Sequence, residues 1–319
     1  MIGKMGKTDF QSLEKRRNRV PIIGKTRSWR GEASVCAAGL LWGTAGLWVH
    51  ALEEAGLGPL QVVALRIWGA AAAFALAAAA TRGGRRLFRV RWRDGWCFVG
   101  TGVVSVTGFS WCYFETIRTS SLALAAVLLY TAPVFVMLFS LWLFGERMTW
   151  RKGVACAMAM GGVALTAGLG GGSAGATPRA LATGLLSGVG YALYSIFGRA
   201  ALNRGYSARA IALWTFLCAA VALGAVAEPS RWLEAVRAGG TRTALAAAML
   251  PFAATLLPYV LYTRGLESVS NGKASVLAFA EPLTACVLGV AVLGQAMTGQ
   301  MGCGVALVFA ALCFLVAAR

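Results

Sequence analysis

Residues 121–149 have the sequence SLALAAVLLYTAPVFVMLFSLWLFGERMT, and residues 270–298 have the sequence SNGKASVLAFAEPLTACVLGVAVLGQAMT. Each contains a long apolar run with one proline inside it and ends on the pattern Gly-x2-Met-Thr. A helix that crosses a bilayer needs about 20 apolar residues at a rise of 1.5 Å per residue. Each stretch therefore predicts a membrane-spanning helix, and their likeness predicts that the chain contains one unit twice.

The likeness between the two halves follows a fixed shift along the chain. Ala and Leu coincide by chance in so apolar a sequence, so coincident Pro, Tyr and Gly residues weigh most. At a shift of 149 residues the coincident pairs are Tyr113 and Tyr262, Ser121 and Ser270, Ala125 and Ala274, Val127 and Val276, Leu128 and Leu277, Pro133 and Pro282, Gly145 and Gly294, Met148 and Met297, Thr149 and Thr298, and Gly153 and Gly302.

A glycine motif near the start of each half repeats at a shift of 145 residues. Gly39-Leu40-Leu41-x-Gly43 coincides there with Gly184-Leu185-Leu186-x-Gly188. Two glycines four residues apart allow helices to approach closely. The recurrence predicts tight packing of the first and sixth helices through Gly39, Gly43, Gly184 and Gly188.

The whole chain divides into apolar segments of spanning length. Their runs are continuous rather than alternating, which favours helices over barrel strands. Ten segments are predicted, at about 33–50, 60–81, 94–117, 120–144, 151–168, 179–200, 209–227, 243–265, 271–293 and 299–317. Each half holds five of them, and an odd number makes the second half enter the membrane from the opposite side. The predicted fold is an all-α membrane protein with ten transmembrane helices in two inverted five-helix repeats.

The repeats and the segments beside them divide the chain into four parts. Residues 1–32 are a basic tail, predicted to be cytoplasmic, and residues 33–168 are the first repeat with helices 1–5. Residues 169–178 are a Gly-rich linker on the periplasmic or extracellular side. Residues 179–319 are the second repeat with helices 6–10.

Composition and charge exclude other protein classes. Apolar residues make up 58% of the 319 residues and charged residues 13%, too few to cover a soluble surface. The net charge of +18 would suit nucleic acid, but 24 of the 30 Lys and Arg residues fall on one side of the predicted topology. The chain is therefore predicted to lie in the cytoplasmic membrane as a multi-pass protein, with both termini cytoplasmic and no nucleic-acid partner. One His and eight scattered Cys predict no metal site and no cofactor.

Several motifs, found in this order, carry a resemblance to a known family. They are Leu41-Trp42-Gly43-Thr44, Ala64-Leu65-Arg66, Tyr130-Thr131-Ala132-Pro133-Val134-Phe135, Gly145-Glu146-Arg147-Met148-Thr149, Gly161-Gly162-Val163-Ala164-Leu165, and Ala274-Ser275-Val276-Leu277-Ala278-Phe279-Ala280-Glu281-Pro282-Leu283 followed by Gly294-Gln295. Over roughly residues 33–317 the chain resembles the drug/metabolite transporter (DMT) superfamily, specifically its EamA-type transporters. Gln295 departs from the Glu usual there, and the tail 1–32 lies outside the match. The resemblance implies ten helices, cytoplasmic termini and movement of small metabolites, often outward.

Two ionisable residues are predicted to lie well inside helices. Glu281 lies about ten residues into the ninth helix, roughly 15 Å deep, where a carboxylate usually faces a cavity or a partner. It would bind a cationic or amino group, carry a coupling proton, or serve as a hydrogen-bonded packing residue. Arg66 would meet an anionic substrate group, pair with a loop carboxylate such as Glu53 or Glu54, or extend to the outer interface.

Aromatic residues recur where the central cavity of an inverted repeat would lie. Their rings stack on aromatic or cationic groups, and packing in the core or at the interface is the alternative. Together with Glu281 and Arg66, the predicted substrate-binding residues are Trp42, Tyr113, Tyr130, Tyr191, Tyr194, Tyr259 and Tyr262.

Four prolines are predicted to interrupt helices. Pro133 and Pro282 occupy corresponding positions in the two halves, and Pro251 and Pro258 both fall in the eighth helix. Interrupted helices in repeat proteins hinge and line cavities. These prolines are therefore predicted hinge or gating residues, with a simple kink as the alternative.

Inverted repeats are a common construction of secondary transporters. The predicted function is transport of a small metabolite (amino acid-like, nucleoside-like or drug-like), as export by alternating access around a central cavity. A lipid flippase or scramblase on the same fold is the alternative. A membrane-embedded enzyme would need clustered His, Asp or Glu at a membrane face, so no enzyme is predicted. The expected partners are the substrate and the bilayer, with coupling to protons left open, and the chain is expected to be a monomer or homodimer.

Overall fold

The computed structural model describes residues 29–81, 84–120, 122–166, 177–294 and 298–317. These residues form helices, turns and connecting segments, and no strand occurs among them. Most of the predicted tail 1–32, most of the linker 169–178, and Gln295 lie outside the described residues.

Grouped by the apolar segments to which they belong, the helical stretches of the described residues form ten helices, and two short 3-10 helices, Gly84–Phe88 and Gly224–Val226, lie between them. In chain order they are α1 (Trp29–Glu54), α2 (Pro59–Ala80), α3 (Trp92–Thr119), α4 (122–144), α5 (Trp150–Thr166), α6 (Pro178–Leu202), α7 (Ala208–Ala222), α8 (Pro229–Leu266), α9 (Asn271–Ala291) and α10 (Gly299–Ala317). Seven of them, all except α5, α7 and α10, are long and apolar enough to cross a membrane. An all-helical fold with several membrane spans is thus confirmed, and the crossing of all ten helices stays a prediction.

Local sequence signals fix where several helices begin and end. Pro59 and Pro178 stand in the first turns of α2 and α6, where the missing N–H costs no hydrogen bond. Ser207 caps α7, because its side chain accepts a hydrogen bond from the backbone N–H of Ala210 at 3.3 Å. After α4, Gly145 has a φ of +65° and ends the helix in the left-handed conformation.

The helices α4 and α9 break at corresponding positions. The first ends at Leu129 and resumes at Ala132, and the second ends at Leu277 and resumes at Ala280. Pro133 and Pro282 stand in the first turns of the resumed helices. The prolines therefore follow the two breaks instead of kinking continuous helices.

The helices α3 and α8 share a second irregularity. Residues 100–107 of α3 and residues 252–256 of α8 are π-helical. At the shift of 149 residues, 252–256 corresponds to 103–107, the last part of the segment in α3. Pro251 directly precedes the π-helical segment of α8, and Pro258 lies in the first turn of the α-helix that follows. All four predicted prolines thus adjoin an interruption.

Helix α8 consists of two helical parts that meet at a kink at Gly240, whose φ is +64°. The second part begins directly after Gly240, close to the predicted start near residue 243, and the first part, from Pro229, was not among the predicted helices. Its first part carries more polar residues than a spanning helix. Residue Trp232 of this part donates from Nε1 to the Gln61 Oε1 atom of α2 at 3.0 Å, so a segment expected to be a loop is helical and anchored.

The repeated glycines contact helices of the opposite half. A Cβ added at Gly43 of α1 would lie 2.5 Å from the Thr284 Cβ of α9. A Cβ added at Gly188 of α6 would lie 2.6 Å from the Thr131 Oγ1 of α4. Gly39 faces Ala280, and Gly184 faces Leu128, along the same two interfaces. The predicted tight packing of α1 and α6 therefore joins α1 to α9 and α6 to α4.

Candidate functional site

A narrow cavity lies between α1, α3, α6 and α8. Its free space is about what one water molecule needs. The lining residues are Trp42, Ser105, Phe109, Tyr191, Tyr194, Ser195, Tyr259 and Tyr262. Five of the nine predicted substrate-binding residues are therefore brought together here.

Aromatic rings form most of the cavity wall. The Trp42 ring centroid lies 5.2 Å from that of Tyr259, 5.5 Å from that of Tyr262 and 6.4 Å from that of Tyr191. Tyr194 meets Tyr259 edge to face at 4.8 Å. Ring faces and edges at these spacings suit an apolar or cationic group.

Most polar atoms at the cavity already have partners. The hydroxyls of Tyr194 and Thr263 share a hydrogen bond of 2.6 Å, and those of Ser195 and Tyr262 share one of 2.8 Å. Ser105 differs, because its Oγ is buried and has no hydrogen-bond partner within the described part of the chain. The cavity wall thus includes a buried hydroxyl, that of Ser105, which can hydrogen-bond to a ligand.

Ser105, Phe109 and Ser195 line the cavity although the sequence did not single them out. Ser195 stands four residues after Tyr191 and so shares a face of α6 with it. That spacing could have identified Ser195. Ser105 lies in the π-helical segment of α3, whose changed periodicity nothing in the composition indicates.

Glu281 adjoins the cavity through one of its lining residues. The Tyr191 hydroxyl donates to Glu281 Oε2 at 3.3 Å, and Tyr113 and Tyr130 lie within electrostatic range of the same carboxylate. Glu281 lies in the first turn of the helix that resumes at Ala280 in α9. Within the ranges that the structure describes, no Lys, Arg or His nitrogen lies within 4 Å of it. The carboxylate therefore has tyrosine neighbours but no ion-pair partner.

Arg66 lies in the same region of the bundle. It is within electrostatic range of Glu281 and of Tyr259, a cavity residue. Its Nε is buried without a hydrogen-bond partner among the residues described. The carboxylate of Glu54, at the end of α1, pairs instead with Arg242, at 2.9 Å, and with His50. Arg66 thus faces the site with hydrogen-bonding capacity unused.

Tyr130 and Tyr113 lie outside the cavity lining and beside Glu281. Tyr130 occupies the break in α4, and its ring meets that of Phe279 at a centroid distance of 5.5 Å. Tyr113 packs against Phe114 at 5.9 Å. Besides the cavity residue Tyr191, the surroundings of Glu281 therefore include two tyrosines that do not line the cavity.

The described residues hold no group of three His, Cys, Asp or Glu side chains that could bind a metal ion. The cysteines are all free thiols, spread over several helices. The chemistry of the site is therefore that of aromatic rings, hydroxyls, one carboxylate and one guanidinium.

Comparison with known proteins identifies relatives of the whole architecture. The model of the EamA-like transporter family matches residues 29–168 and again residues 178–317. An uncharacterized transporter of Archaeoglobus fulgidus is 29% identical over 203 residues, which cover 62% of this chain and 68% of that protein. The uncharacterized transporter YwfM of Bacillus subtilis is 25% identical over 291 residues, 89% of this chain and 93% of that protein.

A solved crystal structure has the same fold. It superposes with a TM-score of 0.76 over 91% of this chain and 97% of that chain, at 21% sequence identity. At this identity the likeness shows the fold alone. The two family matches leave residues 169–177 between them, within the segment predicted as the Gly-rich linker.

Proposed function

This chain belongs to the EamA-like transporter family, whose model matches both of its halves, and we propose that it is a secondary transporter that exports a small metabolite across the cytoplasmic membrane. The substrate binds in the aromatic cavity beside Glu281. The observation that carries the proposal is this carboxylate, which adjoins an aromatic cavity and has no ion-pair partner in the described ranges.

The surroundings of the cavity favour a substrate with an amino or cationic group on a compact apolar or aromatic body. The carboxylate of Glu281 offsets a positive charge, and the rings of Trp42 and its tyrosine neighbours attract one through their faces. Amino acid-like, nucleoside-like and drug-like molecules of this kind all fit the description. The same carboxylate is the group through which protons would couple to transport.

The small size of the cavity supports alternating access. A metabolite does not fit the space of one water molecule, so helices have to move before a substrate enters or leaves. The breaks in α4 and α9 and the π-helical segments of α3 and α8 lack a regular α-helical ladder. These are the positions where the helices bend at the lowest cost.

The topology of the proposal follows the positive-inside rule. Ten spans in two inverted repeats, residues 33–168 and 179–319, place both termini and the basic tail in the cytoplasm. The linker 169–178 then lies on the outer side. The transporter acts as a monomer or homodimer without enzymatic activity.

The test begins with the substrate. Extracellular metabolites are compared between a strain that lacks the protein and one that overproduces it, and compounds exported in proportion to its amount are then assayed in proteoliposomes. Glu281→Gln should lower transport of the identified compound at least about tenfold, since it removes the charge and keeps the shape. Glu115→Gln is the matched control, because Glu115 pairs with Arg118 and Arg179 at the end of α3. Equal transport by both variants and the unmodified chain would remove Glu281 from the site.

A further inference from the structure

A buried polar cluster joins three helices at one end of the bundle. Arg199 of α6 is only 8% exposed. Its Nε donates to Asn271 Oδ1 at 2.9 Å, and its Nη2 donates to the backbone oxygen of Val269 at 2.5 Å. The guanidinium thus fixes the end of α6 to the segment that leads into α9.

Asn271 connects the cluster to α4. Its side chain is fully buried, and Nδ2 donates to Ser140 Oγ at 3.1 Å. Its backbone N–H donates to Glu146 Oε1 at 2.9 Å, and the N–H of Gly272 donates to Glu146 Oε2 at 3.4 Å. Every hydrogen-bonding group of the Asn271 side chain is therefore used, and separating α4, α6 and α9 would leave buried polar groups unpaired.

The cluster directly adjoins the cavity. Ser195, which lines the cavity, stands one helical turn before Arg199 on the same face of α6. Tyr262, another lining residue, is within electrostatic range of both Arg199 and Glu146. The cluster therefore closes the cavity at the end that the Lys and Arg distribution assigns to the cytoplasm.

The opposite end of the bundle has no equivalent of this cluster in its sequence. The shift of 149 residues maps Asn271 onto Leu122, Ser140 onto Gly289 and Glu146 onto Gln295. The shift of 145 residues maps Arg199 onto Glu54. The four side chains that tie the cytoplasmic end together are thus not repeated at the equivalent positions of the other half.

We propose that Arg199, Asn271, Glu146 and Ser140 form the cytoplasmic gate of the transport pathway, with Asn271 as the residue that holds it closed. This rests on the proposed transport function, because a gate presupposes a pathway. The gate opens when α9 moves away from α4 and α6, which breaks the hydrogen bonds of Asn271 together.

The test measures access of reagent to the cavity, so it needs no substrate. A chain in which the eight native cysteines are replaced by alanine receives Ser195→Cys. The new thiol is reacted with a membrane-impermeant methanethiosulfonate in inside-out and in right-side-out vesicles. Asn271→Ala and Asn271→Leu should raise the reaction rate in inside-out vesicles about tenfold, and Ser140→Ala by less. The rate in right-side-out vesicles should not rise.

Tyr206→Phe is the matched control. It removes the 2.7 Å hydrogen bond from the Tyr206 hydroxyl to Asp94 on the same side of the membrane, away from the cluster, and should leave the rate unchanged. Thermal unfolding in detergent shows whether each variant is folded. If Asn271→Ala is not folded, Ser140→Ala replaces it in the test. An unchanged rate in folded variants, or an equal rise from both sides, overturns the gate. Transport by the unmodified chain together with an unchanged reaction rate in the variants would contradict the gate alone. A raised reaction rate in the variants, with no compound transported by the unmodified chain, would contradict the proposed function alone.

Discussion

Tyr130 and Phe279 stand at the same position in the two halves of the chain, 149 residues apart, and their rings meet with centroids 5.5 Å apart and an interplanar angle of 31°. Each ring lies at the break of its own helix, α4 or α9. Helix breaks at equivalent positions of the two halves therefore contact each other, close to Glu281.

The contact predicts energetic coupling between the two halves. Tyr130→Ala and Phe279→Ala should each lower the free energy of unfolding. The double variant should lose about 0.5–1.5 kcal/mol less unfolding free energy than the sum of the two single losses. The measurement is thermal unfolding in detergent for the full mutant cycle. Phe279→Ala combined with Trp150→Ala should be additive, because Trp150 packs against Phe314 between α5 and α10. Additivity in the Tyr130 cycle would contradict the contact.

The close approach of α1 to α9 predicts a sharp dependence on the size of residue 43. Gly43→Ala should destabilise the protein by about 1–3 kcal/mol, because its Cβ would meet Thr284 and the backbone of Glu281 and Ala285. Gly46→Ala, one turn later with open space around it, should be neutral or slightly stabilising. The measurement is the unfolding temperature of each variant. Equal values would mean that Gly43 does not lie at the close contact between α1 and α9.

The unpartnered hydroxyl of Ser105 predicts that its removal does not destabilise the protein. A buried hydroxyl without a partner costs about 1–3 kcal/mol, so Ser105→Ala should leave the unfolding temperature unchanged or raise it. Thr215→Val should lower it, since Thr215 donates to Thr101 Oγ1 at 2.7 Å inside the bundle. A drop for Ser105→Ala as large as that for Thr215→Val would mean that the serine hydroxyl has a partner in the empty protein.

The cavity wall predicts a specific role for one of the eleven tryptophans. Trp42→Ala should raise the KM for the transported compound about tenfold, because it removes the ring that three tyrosines surround. Trp142→Ala is the control, since that side chain is 82% exposed on the outside of α4. Transport assays in proteoliposomes give both values. Similar values for the two variants would place substrate binding outside this cavity.

The sequence predicted the parts of this fold that depend on hydrophobic patterning. The apolar runs located the helices, and the repeated Gly39-x3-Gly43 motif identified positions of close packing. Trp42 and four tyrosines were expected at a central cavity and line one. Membrane-spanning helices can be predicted from sequence because the thickness and apolar interior of the bilayer set their length and composition.

The irregular parts of the fold could not be predicted in the same way. A proline marks a helix interruption but does not say whether the helix kinks at Pro133 or has already broken before it. The first part of α8, from Pro229, is polar enough to read as a loop, although Trp232 and Gln61 anchor it. Tertiary packing decides which helices lie against Gly43 and Gly188, and the periodicity of the sequence does not reveal it. These features arise between segments far apart in the chain.

The glycine contacts between α1 and α9, and between α6 and α4, have a consequence for biosynthesis. The first helix to leave the ribosome has its close-packed partner only when the ninth has been made. Until then the Gly39–Gly43 face of α1 lies against lipid or against a transient neighbour. Folding therefore cannot finish half by half during translation, and a chain that stops after the first repeat leaves α1 without the surface that it fits.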